Sequence, residues 1–143
     1  MYRYFFQTAG LLLLPFAAYA APLIVLDPGH TPSQGGALGV RGQYEVVYND
    51  RIAAELKTAL EADGWQVAVT RKPGEERTLA ERAGMANQAK ADIFLSLHHD
   101  SAQPQYLQKI QVSGKEAYQT LRPISGYSLF VSGENPKFDQ SYK

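Results

Sequence analysis

Leu23-Ile24-Val25-Leu26 is a short, wholly apolar, branched run that stops at Asp27-Pro28-Gly29, and it limits the possible folds more than any other stretch. Apolar residues in succession, with no polar alternation, fit a strand covered on both faces, and Asp-Pro-Gly is a turn signal. A strand covered on both faces needs helices above and below its sheet. The first candidate runs from about Tyr44 to Asp63. There Val46, Ile52, Ala53, Leu56, Ala59 and Leu60 recur at helical spacing, while Arg51, Glu55, Lys57 and Glu61 fall mostly on the other side. Gly64 is well placed to terminate that helix.

The same alternation of elements continues downstream. Trp65 to Thr70 places Trp65, Val67 and Val69 against Gln66, Ala68 and Thr70, the period of a second strand. Beyond a turn at Pro73 and Gly74, Thr78 and Glu81 form a T-x-x-E capping box that opens a helix through Leu79, Ala83 and Ala86 to about Lys90. Ile93 to Leu97 is a third strand running directly into His98-His99-Asp100. Strand, helix, strand, helix, strand is the βαβ signature of a parallel sheet, so the expected class is α/β, a mostly parallel sheet flanked by helices. In such sheets the ligand site lies beyond the carboxyl ends of the strands. From Ser101 to Ile124 the pattern is lost, and a long surface loop is expected, with a short helix near Lys115 to Leu121. Gly126 to Ser132 reads as a fourth strand and Gly133 to Pro136 as a turn. There is no internal repeat or low-complexity tract.

Composition removes several classes of function. The chain has 143 residues, 45% of them hydrophobic and 20% charged, an ordinary mixture for one globular domain. Fourteen basic residues balance fourteen acidic ones without blocks, so no electrostatic footprint for nucleic acid exists and none is expected as a partner. There are no cysteines, which excludes disulfides, thiolate nucleophiles and Cys-based zinc sites. Residues 1–20 read as a signal peptide. Arg3 supplies the basic start, Leu11 to Ala18 the apolar stretch, and Ala18-Tyr19-Ala20 the cleavage site, with the domain following over residues 21–143. A membrane anchor is the competing reading, but Pro15 and Pro22 interrupt the apolar run, and no stable anchor is expected after cleavage. Loss of Arg3 leaves 13 basic against 14 acidic residues, about −1 overall. An exported, cysteine-free protein suits a bacterial periplasm, and a monomer is expected.

All three histidines fall at carboxyl ends of predicted strands: His30 after the first, His98 and His99 after the third. Parallel strands would bring these ends to one edge of the sheet. Two histidines converging on a crevice set a metal site level with the surface or hydrogen-bonded reading. Two His and one carboxylate form a standard catalytic zinc set, leaving the fourth position for water. Asp27, Glu45 and Asp100 are the carboxylates near that edge. Glu45 begins the first helix on the loop leaving His30, where a first-turn acid is also favoured by the helix dipole alone. Asp27 either orients a ligand as an outer acceptor or serves simple turn chemistry.

L-D-P-G-H at Leu26 to His30, the Gly-rich loop after it, Glu45 with Asn49 one turn later and Thr70-Arg71 are followed in order by further motifs. These are L-x-x-R from Leu79 to Arg82, Ala86-Asn87, and A-D-I-F-L-S-L-H from Ala91 to His98. Together they resemble the zinc-dependent N-acetylmuramoyl-L-alanine amidases of the AmiA, AmiB and AmiC type, over Leu23 to about Pro136. The resemblance implies zinc bound by His30, Glu45 and His98, with His99 beside the site and not a ligand. It also implies hydrolysis of the amide joining N-acetylmuramic acid to L-alanine in peptidoglycan. The family's catalytic Glu belongs to a V-E-x-G-F-like segment that the given residues do not contain, so its place is expected beyond Lys143. The ending at Ser141-Tyr142-Lys143 likewise lacks the domain's last helices and strand, so a fragment or truncated frame is expected, and the catalytic residue is unassigned. Nothing in the context of Glu116 or Glu134 marks either as a base. Rival readings are a degenerate zinc-binding domain that binds cell-wall glycopeptide without cutting it, a zinc hydrolase of another amide, and an α/β domain whose histidines are only structural.

Overall fold

A computed structural model describes residues 20–99, 102, 104–123 and 125–131 of the chain. β1 (Leu23–Pro28), α1 (Glu45–Ala62), β2 (Gln66–Val69), α2 (Leu79–Gln88) and β3 (Ile93–Leu97) follow one another in the predicted order. The strands form one parallel sheet in the order β2-β1-β3, with Leu23 opposite Gln66 on one side of β1 and Ile24 opposite Ile93 on the other. β1 is the centre of the sheet, and Ile24, Val25 and Leu26 are all buried, as an uninterrupted apolar run requires. The chain steps from β1 to β2 and then back across β1 to β3. With right-handed crossovers this reversal puts α1 and α2 on opposite faces, and the crevice opens where the loops after β1 and β3 part.

Helix boundaries follow local chemistry. Thr78 caps α2, accepting from the Glu81 amide at 3.2 Å while the Glu81 carboxylate accepts from the Thr78 amide at 2.7 Å. Gly64 ends α1 in the left-handed region, φ +88°, where a side chain would be strained. Lys57 and Glu61 pair one turn apart on the exposed face of α1. Among the described residues no helix is long and apolar enough to cross a membrane.

Asp27 ties the layers together from the centre. Its carboxylate accepts from Thr70 Oγ1 at 2.6 Å, from Ser96 Oγ at 2.9 Å and from Arg82 Nη1 at 3.1 Å, so β2, β3 and α2 are all fastened to β1 through one buried side chain.

Two expectations are corrected. The segment predicted as a loop with a short helix near Lys115 holds a hairpin: a single 3-10 turn at Pro104–Tyr106, then β4 (Leu107–Val112) antiparallel to β5 (Lys115–Thr120). The reason is its two-residue Ser113-Gly114 connection, φ 51° and 76°, the doubly left-handed turn whose twist suits a hairpin. Gly126 to Val131 carries no strand, and its Tyr127, Leu129 and Phe130 are exposed. Alternation predicts only a face that can be buried; a strand also needs a neighbouring ladder, and none meets these residues within the described part. Ser132, the turn from Gly133 to Pro136, the ending as far as Lys143 and all but the last residue of the signal segment lie outside the described residues.

Candidate metal centre

The ladder between β1 and β3 builds the site. Pro28 stands opposite Leu97, and the Gly29 amide donates to the Leu97 carbonyl at 2.9 Å, so the residues that follow leave the sheet side by side. His30 and His98 therefore meet edge to face, ring centroids 4.9 Å apart at 77°. His30 holds a left-handed backbone, φ 68°, a conformation costing on the order of 1–3 kcal/mol for a non-glycine residue. The loop from Thr31 to Tyr44 returns the chain to the same edge and delivers Glu45 as the first residue of α1. The Glu45 amide donates to the Ala37 carbonyl and the Val46 amide to that of Gly35, which locks the helix start over the strand ends.

Glu45 lies between the two rings. Its Oε2 is 3.1 Å from His30 Nε2, and its Oε1 is 3.1 Å from His98 Nδ1. The carboxylate is deep, at 6% exposure, while the His30 and His98 side chains keep 28% and 40%, so the cluster opens on the histidine side. Burial works against the charge on Glu45. The amides of His99 and Ala37, the nearby His30 and the Asn49 amide group outweigh it, and the carboxyl is held below its usual range. A ligand carboxylate that stays ionised is what a cation requires.

Two glycines make room for this packing. A side-chain carbon at Gly29 would sit 2.4 Å from the His98 ring, and one at Gly36 would sit 2.7 Å from both Glu45 Oε2 and His30 Nε2. Asn49, fully buried one turn along α1, donates through Nδ2 to the Gly29 carbonyl at 3.1 Å and to Glu45 at 3.4 Å. Its Oδ1 can then only accept, so the 2.6 Å contact with His99 Nδ1 makes that nitrogen the donor. The sequence assigned Gly29 only to the turn and gave Asn49 no task. Their work lies in contacts across the sheet edge, to which spacing along the chain is blind.

The donor set fits a metal ion. One ligand atom each from His30, Glu45 and His98 lie within 4.8 Å of one another. Each carboxylate oxygen faces one ring, Oε2 at 3.1 Å from His30 Nε2 and Oε1 at 3.1 Å from His98 Nδ1, and two imidazoles with a carboxylate are a donor set that suits zinc. Among the described residues this is the one grouping of three such side chains. The other candidates stand apart. Asp27 lines the same cleft but contacts neither ring, its oxygens being occupied by Thr70, Arg82 and Ser96, so neither the orienting nor the simple turn role describes it. His99 sits beside the cluster and hydrogen-bonds Asn49. Glu116 is on the exposed hairpin, bonded to Lys109 and Tyr118. Asp100 and Glu134 lie outside the described residues. So does Lys143, the last residue of the sequence. From His30 and His98 a cleft of about 590 Å³ runs past Ser33 and Glu76 to the start of α2, where Thr78, Leu79 and Glu81 form its far wall.

Comparison with known proteins agrees with this architecture. A family model described as N-acetylmuramoyl-L-alanine amidase matches residues 24–143. The amidase AmiC of Neisseria meningitidis is 38% identical over 80 residues, which are 56% of this chain and 19% of that protein. The chain spans 17% and 21% of two other curated amidases, LytC of Bacillus subtilis and AmiB of Haemophilus influenzae. Among solved structures, an amidase from Clostridium difficile 630 superposes with a TM-score of 0.57 at 28% identity, covering 64% of this chain and 50% of that one. AmiC2 of Nostoc punctiforme gives 0.54 at 31%, covering 58% and 46%. Because the family match begins inside the central strand and takes in both histidine-bearing strand ends and the helix between them, this chain belongs to the N-acetylmuramoyl-L-alanine amidase family.

Proposed function

We propose that the chain is the zinc-binding part of a peptidoglycan amidase, with His30, Glu45 and His98 as the metal ligands. Its reaction is hydrolysis of the amide between N-acetylmuramic acid and L-alanine. The observation that supports it most is the convergence of those three side chains within 4.8 Å at the strand ends of a chain in this family. Zinc bound there supplies a Lewis acid for the amide carbonyl and lowers the pKa of water towards about 7. The chain's own groups prepare that site. His30 Nε2 and His98 Nδ1 are the nitrogens facing Glu45, so they are the ones that would coordinate a metal once their protons are displaced. Glu45 contributes one negative charge, fixed by the His99 and Ala37 amides. The open histidine side faces the cleft, which is where a glycopeptide would lie. Residues 1–20 are proposed as the signal for export to the periplasm, with the mature domain acting as a monomer on the wall.

A second reading, a domain that binds zinc and glycopeptide without cutting, is favoured by one observation. The carboxylates lining the cleft are all engaged elsewhere: Asp27 as above, Glu76 by the Ser33 amide and hydroxyl, Glu81 by Thr78. None of them stands free as a base. Elemental analysis of the purified chain beside a peptidoglycan-release assay decides between the two. One equivalent of zinc with release of stem peptides supports the amidase, and one equivalent without release supports the binding domain. His30→Ala and His98→Ala should each bring zinc well below one equivalent. Unchanged metal in both variants would remove the ligand assignment.

A further inference from the structure

Arg71 stands just past the end of β2, and its side chain is wholly buried beneath the turn that carries His30. Its guanidinium Nε donates to the His30 carbonyl at 2.9 Å and Nη2 to the Gly29 carbonyl at 3.2 Å. Nη2 is also paired by charge with Asp50 Oδ1 at 2.7 Å, without hydrogen-bond geometry, and Asp50 is next along α1 from Asn49, which donates to the same Gly29 carbonyl. A planar fork of donors is thus anchored by one helix and grips two successive carbonyls at the point where the backbone turns left-handed, φ 68° at His30. Few residues with a side chain adopt that conformation, histidine more readily than most, and the two carbonyls are the handles by which it is held.

We propose that Arg71 is a positioning residue for the metal centre: by holding the Gly29 and His30 carbonyls it keeps the His30 ring turned towards Glu45. The proposal rests on the zinc-centre reading above. It assigns Arg71 no contact with the metal or with substrate. Its effect runs through the backbone of the first ligand, as outer partners of metal ligands commonly act. Lysine cannot replace it, because a single ammonium cannot span two carbonyls and a carboxylate in the same geometry.

The test is zinc affinity, measured on the full chain by competition with a chromogenic chelator, alongside thermal melting of the metal-free form. Arg71→Lys should weaken zinc about 10–100-fold. Its cobalt(II) derivative should show an altered visible spectrum, reporting a changed ligand geometry. Val69→Ala, on the same strand but outside the turn, is the control: it should lower the melting temperature and leave zinc affinity within about twofold. A merely structural Arg71 would behave like Val69, and an Arg71→Lys variant with zinc affinity within about twofold of the parent would overturn the proposal. Should Arg71→Lys fail to fold, Asp50→Asn loosens the guanidinium without touching Gly29 or His30. A fall of more than about threefold in zinc affinity is expected there, and no fall overturns the proposal. A parent chain that binds no zinc would sink the centre itself and this proposal with it. A parent holding one equivalent, beside unaffected variants, sinks only the role of Arg71.

Discussion

At Gly36 two demands coincide: a left-handed backbone, φ +76°, and a surface 2.7 Å from both Glu45 and His30. Gly64 meets only the first, because a side-chain carbon there would touch nothing within 4 Å. The pair therefore separates backbone strain from crowding of the ligands. Gly64→Ala should cost about 1–2 kcal/mol of stability and leave zinc content unchanged. Gly36→Ala should cost at least as much and also displace a ligand, weakening zinc by about tenfold or more. Equal zinc binding in the two alanine variants, measured by equilibrium dialysis, would mean that the loop at Gly36 relaxes freely. Gly29→Ala has no left-handed backbone to strain, yet its methyl would collide with the His98 ring, so it should lose zinc with little loss of backbone stability. These residues also mark the limit of what the sequence discloses. The expectation that His30, Glu45 and His98 meet came from the ends of apolar patterns for the histidines and from the family motif for Glu45, and the three do converge within 4.8 Å. The glycine clearances and the Asn49 and Arg71 contacts arise only when three separate segments meet.

Among the elements, those with strong apolar periods were readable to within a residue or two: β1, α1, β2, α2 and β3 all follow the predicted order. Burial accounts for β1 and for Val46, Ala53 and Ala86 of the helices, whereas Ile52, Leu79, Ile93 and Phe94 follow the apolar pattern yet stay exposed. The β4–β5 hairpin left little trace. Gln108, Lys109, Gln111, Lys115, Glu116 and Gln119 are exposed, so only Ala117 of the hairpin is buried and the apolar pattern is faint. The capping box of α2 was fully legible and carries its own prediction. Thr78→Ala should destabilise by about 1 kcal/mol near neutral pH. The Thr78 backbone amide first, and its side chain next, hold the Glu81 carboxyl below its ordinary value of 4.5. A depressed folded-state value means that the bond stabilises above the unfolded-state value and is lost as pH falls through the folded one. The difference in urea midpoint between parent and Thr78→Ala should therefore shrink steadily as pH is lowered below about 4.5. A difference independent of pH would show that the Thr78 hydroxyl does not help hold the Glu81 carboxylate in its charged form.

At the scale of the described domain, one buried polar cluster joins elements far apart in sequence. Asp27 and Arg82 are 3% and 5% exposed, 55 residues apart in sequence, and joined through two contacts of 3.1 and 3.2 Å. Around them, Thr70 and Ser96 bring in the two outer strands, so removing the pair loosens three elements from β1 together. Breaking a buried ion pair on one side strands a charge and costs about 3–5 kcal/mol, a large share of the roughly 5–15 kcal/mol that keeps a domain folded. Arg82→Met leaves the Asp27 carboxylate with two hydroxyls for company. Asp27→Leu leaves the guanidinium buried, with its Nε already lacking a partner among the described groups. Each single substitution should lower the unfolding free energy by about that amount. The double substitution strands no charge, and should cost less than the sum by about 2 kcal/mol or more. Unfolding in urea at constant zinc measures all four chains. Additive losses would show that Asp27 and Arg82 stabilise the sheet separately, through the hydroxyl and packing contacts of each, and that the connection between α2 and the central strand lies elsewhere.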